Sequence, residues 1–329
     1  MKIAHFIASD GFGGAERVVT DLCIEMGKTY EVHLITFDRS LKEKIDKKNI
    51  KVHHIKKFSR YNIYEIWKFA DHINRLNLDI IHTHGVKATK IIHTIRGRIK
   101  ATHIATKHNI RKGKIFNKIP HVTAVSYEVA KTISNKNIEV IYNGISPINT
   151  KHECIKINKD KITLLAVGRL EEVKGFERII KACQYLPSHV NLKIIGEGTL
   201  RKKLEKLITD LSLENKVRLL GFKEDIASYM SKADSVIMTS FNEGMPLVMI
   251  EALFYANMFL STPVGGIKEV IPEKFHLNEN SIEKKLLDFC LNIDDYQESF
   301  KILQREKQPL FLLSSCVKRY FSYYKKTLL

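Results

Sequence analysis

The run Gly168-Arg169-Leu170 followed by Lys174-Gly175 holds two cations five residues apart, with a glycine on each side of the set. A guanidinium offers a fork to two phosphate oxygens and an ammonium a point charge, so the pair suits a diphosphate. In so basic a chain the plainer alternative is two solvated surface cations. A second cluster is Glu243-Gly244-Met245-Pro246-Leu247-Val248-Met249-Ile250-Glu251. Pro246 suits a first helical turn. Glu251 sits among apolar residues, where a carboxylate needs a hydrogen-bonded partner. On one helix Glu243 and Glu251 would lie about two turns apart on nearly the same face, an arrangement that suits sugar hydroxyls. Gly13-Gly14-Ala15-Glu16 lacks the spacing of the dinucleotide fingerprint. It reads either as a tight turn that brings a helix N-terminus to an anionic ligand or as a plain turn with Glu16 as the charge cap. Gly196-Glu197-Gly198 and Pro263-Val264-Gly265-Gly266 are further glycine turns.

Histidines need more caution. Of the fourteen, His108 follows an apolar run and is the first candidate, and His84 the second. His82 and His84 are expected to point to opposite faces of a strand, and so not to form a metal pair. His5, His33 and His93 read as packing or surface residues, and His53 and His54 as solvated.

These residues need elements to carry them. Short apolar runs at Ile3–Ala8, Glu31–Phe37, Ile50–His54, Ile80–His84, Thr102–His108 and His121–Ser126 read as strands. Helical spacing begins near Ala15 (Val18, Val19, Leu22, Met26) and again over Tyr64–Leu76. Strands without polar alternation, separated by helices, predict a parallel sheet covered on both faces. A polar, lysine-rich stretch from Ile148 to Asp160 reads as a linker. A second series follows, with strands at Ile162–Val167, Val190–Ile195, Val217–Leu220 and Ser235–Thr239, and helices at Phe176–Tyr185 and Leu200–Leu211. The expected fold class is therefore α/β, two doubly wound units. The domains are 1–150, 151–309 and an aromatic, basic terminal helix at 310–329 that packs on the first domain or on a surface. In such sheets ligands bind beyond the carboxyl ends of the strands, which is where the glycines, His84, His108, Arg169, Glu197 and Glu243 fall.

The chain has 329 residues and a formal charge of +18. Residues 1–150 contribute +13 of it, from 26 basic and 13 acidic residues. An anionic partner is implied for the first half: nucleic acid, an acidic membrane surface or phosphorylated substrates. Arg96, Arg98, Lys100, Lys107, Arg111, Lys112, Lys114 and Lys118 fall in a stretch with no acidic residue, with Ile110, Ile115 and Phe116 among them. That mixture suits an anionic headgroup region. No nucleic-acid motif accompanies it, so no nucleic-acid partner is expected, while lysine-rich usage throughout the chain is the plainer source of the charge. Five dispersed cysteines without ligand spacing fit a reducing compartment. No run approaches the roughly 18 apolar residues of a membrane span, so membrane contact is expected to be peripheral.

Taken in order along residues 11–270, these motifs resemble the retaining glycosyltransferases of family 4. The motifs are Gly13-Gly14-Ala15-Glu16, His84, His108, Asn143-Gly144-Ile145, Gly168-Arg169-Leu170 with Lys174-Gly175, Gly196-Glu197-Gly198, Glu243 through Glu251, and Pro263–Glu269. The resemblance implies the GT-B fold, two facing Rossmann-like domains with an interdomain cleft, the first binding the acceptor and the second a nucleotide sugar. It implies that Arg169 and Lys174 neutralise the diphosphate. Glu251 would hold the ribose, and Glu243 the sugar hydroxyls with help from Gly244, Met245, Pro246 and Leu247. Glu197 would line the donor site, Gly13 and Gly14 the phosphate side, and His108 would lie by the reacting sugar and phosphate. Uridine diphosphate sugars are the commonest donors of such enzymes. Acceptors would be saccharides or lipid-linked glycans of lipopolysaccharide, lipooligosaccharide or capsule assembly, on the inner face of a bacterial cytoplasmic membrane. No Asp-x-Asp motif occurs in the chain, so no metal and no cofactor are expected. Two other functions fit the architecture: a sugar-nucleotide epimerase, for which no proton-abstracting carboxylates stand out, and a non-catalytic partner in glycan assembly.

Overall fold

The computed structural model describes the whole chain except residues 42–44, 46–49, 59–61 and 149–159 and positions 10, 12, 40 and 136. It divides into two compact units: Met1–Ser146 together with Leu310–Leu329, and Pro147–Pro309. Almost all of the predicted linker lies outside the described residues.

In the first unit the strands are β1 (Lys2–Ile7), β2 (Glu31–Thr36), β3 (Ile50–His54), β4 (Ile80–His84), β5 (Thr102–Lys107), β6 (His121–Ala124) and β7 (Ile138–Val140). They form one sheet in the order β3-β2-β1-β4-β5-β6-β7, and every neighbouring pair is parallel. The central strands are buried along nearly their whole length, as helices on both faces require. Strand order reverses between β1 and β4, so the Gly13-Gly14 turn and His84 flank the switch point where open α/β sheets bind ligands.

The terminal helix, Leu313–Leu328, belongs to this first unit. Ile145 bridges Leu312 in a short parallel pairing, with Ile145 donating to Phe311 and Leu313 donating to Ile145. Gly144 makes the approach possible, because a Cβ there would meet the Leu312 carbonyl oxygen and the Leu313 Cα at 2.9 Å. Tyr320, Tyr323 and Tyr324 are buried against the sheet, and Phe321 packs edge-on against Tyr30.

In the second unit the strands are β8 (Ile162–Val167), β9 (Val190–Ile195), β10 (Val217–Leu219), β11 (Ser235–Met238) and β12 (Phe259–Ser261). Their order is β10-β9-β8-β11-β12, again all parallel. The switch point falls between β8 and β11, which carry Arg169 and Glu243 beyond their carboxyl ends. No helix among the described residues is long and apolar enough to cross a membrane.

Candidate functional site

At the carboxyl edge of the second sheet the strand-end loops are pressed on one another, and glycines make this possible. Gly196, after β9, lies so close to the loop after β8 that a Cβ would sit 1.8 Å from the Gly168 carbonyl oxygen. Gly175 has φ +64°, and a Cβ there would meet the Thr239 carbonyl oxygen at 2.3 Å. Gly265, with φ +54°, would put one 1.9 Å from the Glu243 carbonyl oxygen. Backbone bonds join the stack: Leu170 donates to Glu197, Phe241 to Val173, and Gly266 to Gly244. Side chains larger than hydrogen would force the loops apart.

This stacking sets the charged groups. Lys174 Nζ lies 2.8 Å from Glu243 Oε1, and both side chains are largely shielded, at 20% and 13% exposed. The loops after β8 and β11 are therefore tied by one ion pair. Arg169 stays 65% exposed and pairs with Glu171 at 2.9 Å. Glu251 is 5% exposed within the helix Leu247–Tyr255. Glu243 is not on that helix. It lies in the preceding loop, and Pro246 in extended backbone is the N-cap. The expected two-turn relation between the two glutamates is therefore corrected: glycine and proline hold the chain out of helix up to Leu247. Gly244, Met245 and Pro246 are buried and Leu247 is half-buried. Glu197 is half-exposed and pairs with Arg201 at 2.6 Å. Arg178, which sequence reasoning passed over, reaches the same edge. It donates to the Thr239 carbonyl, pairs with Glu279 and stacks over Phe241 at 3.8 Å.

In the first unit, Gly13 caps the helix Gly14–Met26, and its N–H donates to Glu16 Oε2 at 2.9 Å. Glu16 acts as the cap, as the plain-turn alternative predicted. His108 is half-buried just beyond β5. His82 and His84 share one face of β4, with ring centroids 4.3 Å apart. The expectation of opposite faces is overturned, because a strand returns to the same face every second residue. His5 is buried beside both, in register with His82 across the β1–β4 pair. His53 is not solvated; it stacks on His33 with a 2.9 Å nitrogen–nitrogen contact. Lys107 leaves the basic surface set. It is 2% exposed, and its Nζ donates to Thr132 Oγ1 at 2.6 Å.

The family model "Glycosyltransferase Family 4" matches residues 12–148, and the model "Glycosyl transferases group 1" matches residues 147–307. An N-acetylgalactosamine-N,N'-diacetylbacillosaminyl-diphospho-undecaprenol 4-alpha-N-acetylgalactosaminyltransferase of Campylobacter jejuni is 28% identical, with 94% of this chain and 95% of that one covered. The structure of Anabaena HepE with UDP and glucose superposes with a TM-score of 0.86 at 18% identity, covering 99% of this chain and 100% of that chain. A glycosyltransferase from Rickettsia africae superposes at 0.85 and 21% identity, covering 99% and 98% of the two chains. With these matches running in order along both sheets, the chain belongs to the family 4 glycosyltransferases of the GT-B fold.

Proposed function

We propose that the protein transfers a sugar from a uridine diphosphate donor to a saccharide or lipid-linked glycan acceptor in bacterial surface-glycan assembly, with retention of anomeric configuration. The observation that carries this reading is the loop stack of the second unit. It holds Arg169, Lys174 and Glu243 beyond the carboxyl ends of one parallel sheet, with Glu251 buried in the helix that follows. Departure of a nucleoside diphosphate builds negative charge, and cations fixed beforehand stabilise it without reorganising. Arg169 and Lys174 take the diphosphate, Glu243 the sugar hydroxyls and Glu251 the ribose. Gly244 to Leu247 and Glu197 line the same site. His108, Gly13 and Gly14, in the first unit, keep the roles that the family resemblance implies for them.

The donor assignment draws support from the UDP in the Anabaena structure. The acceptor assignment draws on the Campylobacter relative, whose name describes transfer to a sugar on diphospho-undecaprenol. It also draws on the exposed cations Arg96, Arg98, Lys100, Arg111, Lys112, Lys114 and Lys118 of the first unit, which suit an anionic membrane surface. The first unit then serves the acceptor and the second the donor.

Transfer assays with a panel of nucleotide sugars and extracted lipid-linked acceptors, read by product mass, test the function. Arg169→Ala is expected to keep the fold, weaken UDP binding in calorimetry roughly tenfold or more and lose most transfer. Wild-type transfer is expected to persist in excess chelator, since two side-chain cations neutralise the diphosphate. Unchanged UDP binding in the variant, or activity restored only by manganese or magnesium, contradicts this reading.

A further inference from the structure

The first unit holds a chain of imidazoles that runs inward from His108. His108 Nε2 lies 3.0 Å from His84 Nδ1. His84 Nε2 lies 2.9 Å from His5 Nδ1. His5 Nε2 ends the chain 3.3 Å from Met26 Sδ. His82 stands beside it, bonded at 2.6 Å to the Tyr324 hydroxyl and at 2.6 Å to the Thr106 hydroxyl. His5, His82 and His84 are buried. Burial pushes the pKa of His5 down to about 3 and that of His108 to about 4, and holds His82 and His84 well below the usual range. Every ring in the chain is therefore neutral at neutral pH and carries one proton.

A neutral imidazole donates from one nitrogen and accepts at the other, whereas a thioether sulfur only accepts. That asymmetry orients the whole chain. His5 must carry its proton on Nε2, facing Met26, which leaves Nδ1 as an acceptor. His84 then donates from Nε2 to His5 and accepts at Nδ1. His108 donates from Nε2 to His84, and its Nδ1 keeps a lone pair. The reverse direction would set the His5 lone pair against the sulfur lone pairs in a buried site. A metal ion is the competing occupant, because three nitrogens of His5, His82 and His84 lie within 4.8 Å of one another. All six ring nitrogens of these residues already face a protein partner. An ion would have to displace those hydrogen bonds.

We propose that His84 and His5 are positioning residues that lock His108 in the Nε2–H tautomer, so that His108 Nδ1 accepts a hydrogen bond from a hydroxyl of the sugar substrate and does not serve the diphosphate. The tautomer follows from the hydrogen-bond chain alone; the identity of the hydroxyl rests on the transferase reading. Phosphate oxygens are acceptors and gain nothing from a second acceptor, whereas a sugar hydroxyl has a proton to give.

Long-range nitrogen-15 NMR of the labelled full chain reads each ring nitrogen directly. The expected pattern is protonated Nε2 and bare Nδ1 at His5, His84 and His108. A protonated Nδ1 at His108, or one transition-metal ion per chain in protein purified without chelator, overturns the proposal. UDP is expected to leave the His108 Nδ1 resonance in place and UDP-glucose, the probe donor, to shift it. An equal shift with UDP overturns the hydroxyl assignment. In kinetics, His84→Leu removes the acceptor that fixes His108, and His84→Asn supplies another. The first is expected to lower kcat roughly tenfold or more with KM and UDP affinity unchanged, and the second to recover most of it. Full kcat in His84→Leu overturns the positioning role. If that variant does not fold, the wild-type spectrum still decides. The expected tautomers in a protein that binds no nucleotide sugar overturn the substrate assignment and leave the hydrogen-bond chain standing.

Discussion

Lys174 and Glu243 are each other's partner at 2.8 Å, yet the proposed function gives one the diphosphate and the other the sugar. A bound donor would then redistribute this pair, with the phosphate oxygens competing with Glu243 for the ammonium. Glu243→Gln separates the two roles. It frees Lys174 of its carboxylate, so UDP is expected to bind as tightly or up to roughly tenfold tighter, the scale of one charge-assisted hydrogen bond. Transfer is expected to fall roughly a hundredfold, since the sugar loses a charged acceptor. Calorimetry with UDP beside a transfer assay measures both, and parallel losses of the two would show that Glu243 chiefly supports Lys174. Residue types singled out the cations Arg169 and Lys174 and a Glu251 that is buried in an apolar helix. They did not announce the Lys174–Glu243 contact, which depends on two loops 69 residues apart being stacked by glycines. His5 escaped for a similar reason: one histidine in an apolar strand has no meaning until register sets it beside His82.

Strands and helices were the most legible level, because parallel strands covered on both faces are continuous apolar runs. β1, β3, β4, β8 and β9 fall where those runs predict. β7 and β12, at three residues each, were not among the predicted strands, although β10, equally short, was. The terminal helix was legible as an aromatic element that packs on something; its docking strip was not. That strip depends on Gly144, whose tight approach to Leu312 and Leu313 no local pattern encodes. Gly144→Ala is expected to wedge the Ile145–Leu312 pairing apart and destabilise the first unit by roughly 1–3 kcal/mol, the cost of overpacking. A lowered urea midpoint, followed through the single tryptophan, Trp67, measures it. An unchanged midpoint would mean that the helix docks through its tyrosines alone.

Across the whole molecule, eleven of the fourteen histidines belong to the first unit. Burial holds His5 and His103 near a pKa of about 3 and His108 near about 4. An unfolded imidazole titrates near 6.5, so below that pH the unfolded chain binds more protons than the folded one. Stability is therefore full above about pH 6.5 and is lost as pH falls toward 4, with roughly 1.4 kcal/mol lost per pH unit for each such group. The second unit's described histidines are His189 and His276, and burial lowers the pKa of His276. Acid is thus expected to unfold the first unit first. Trp67 fluorescence should change at a higher pH than far-UV circular dichroism does, and coincident transitions would refute this. Charge is the other whole-molecule property. Reversing Arg111, Lys112 and Lys114 together is expected to weaken sedimentation with anionic vesicles at low salt, each cation contributing roughly 1 kcal/mol near such a surface, and to leave UDP affinity alone. Equal pelleting of mutant and parent would return the charge to lysine-rich usage. One further consequence follows from the return of the terminal helix to the first sheet. The Tyr324 hydroxyl that satisfies buried His82 lies 242 residues downstream of it. During ribosomal synthesis the amino-terminal unit must wait, with Nδ1 of that imidazole lacking its tyrosine partner and only Nε2 bonded to Thr106, while the entire second unit is made. A nonsense mutation ahead of Tyr320 would therefore be felt first at the opposite end of the chain, as an amino-terminal unit left open to chaperones and proteases.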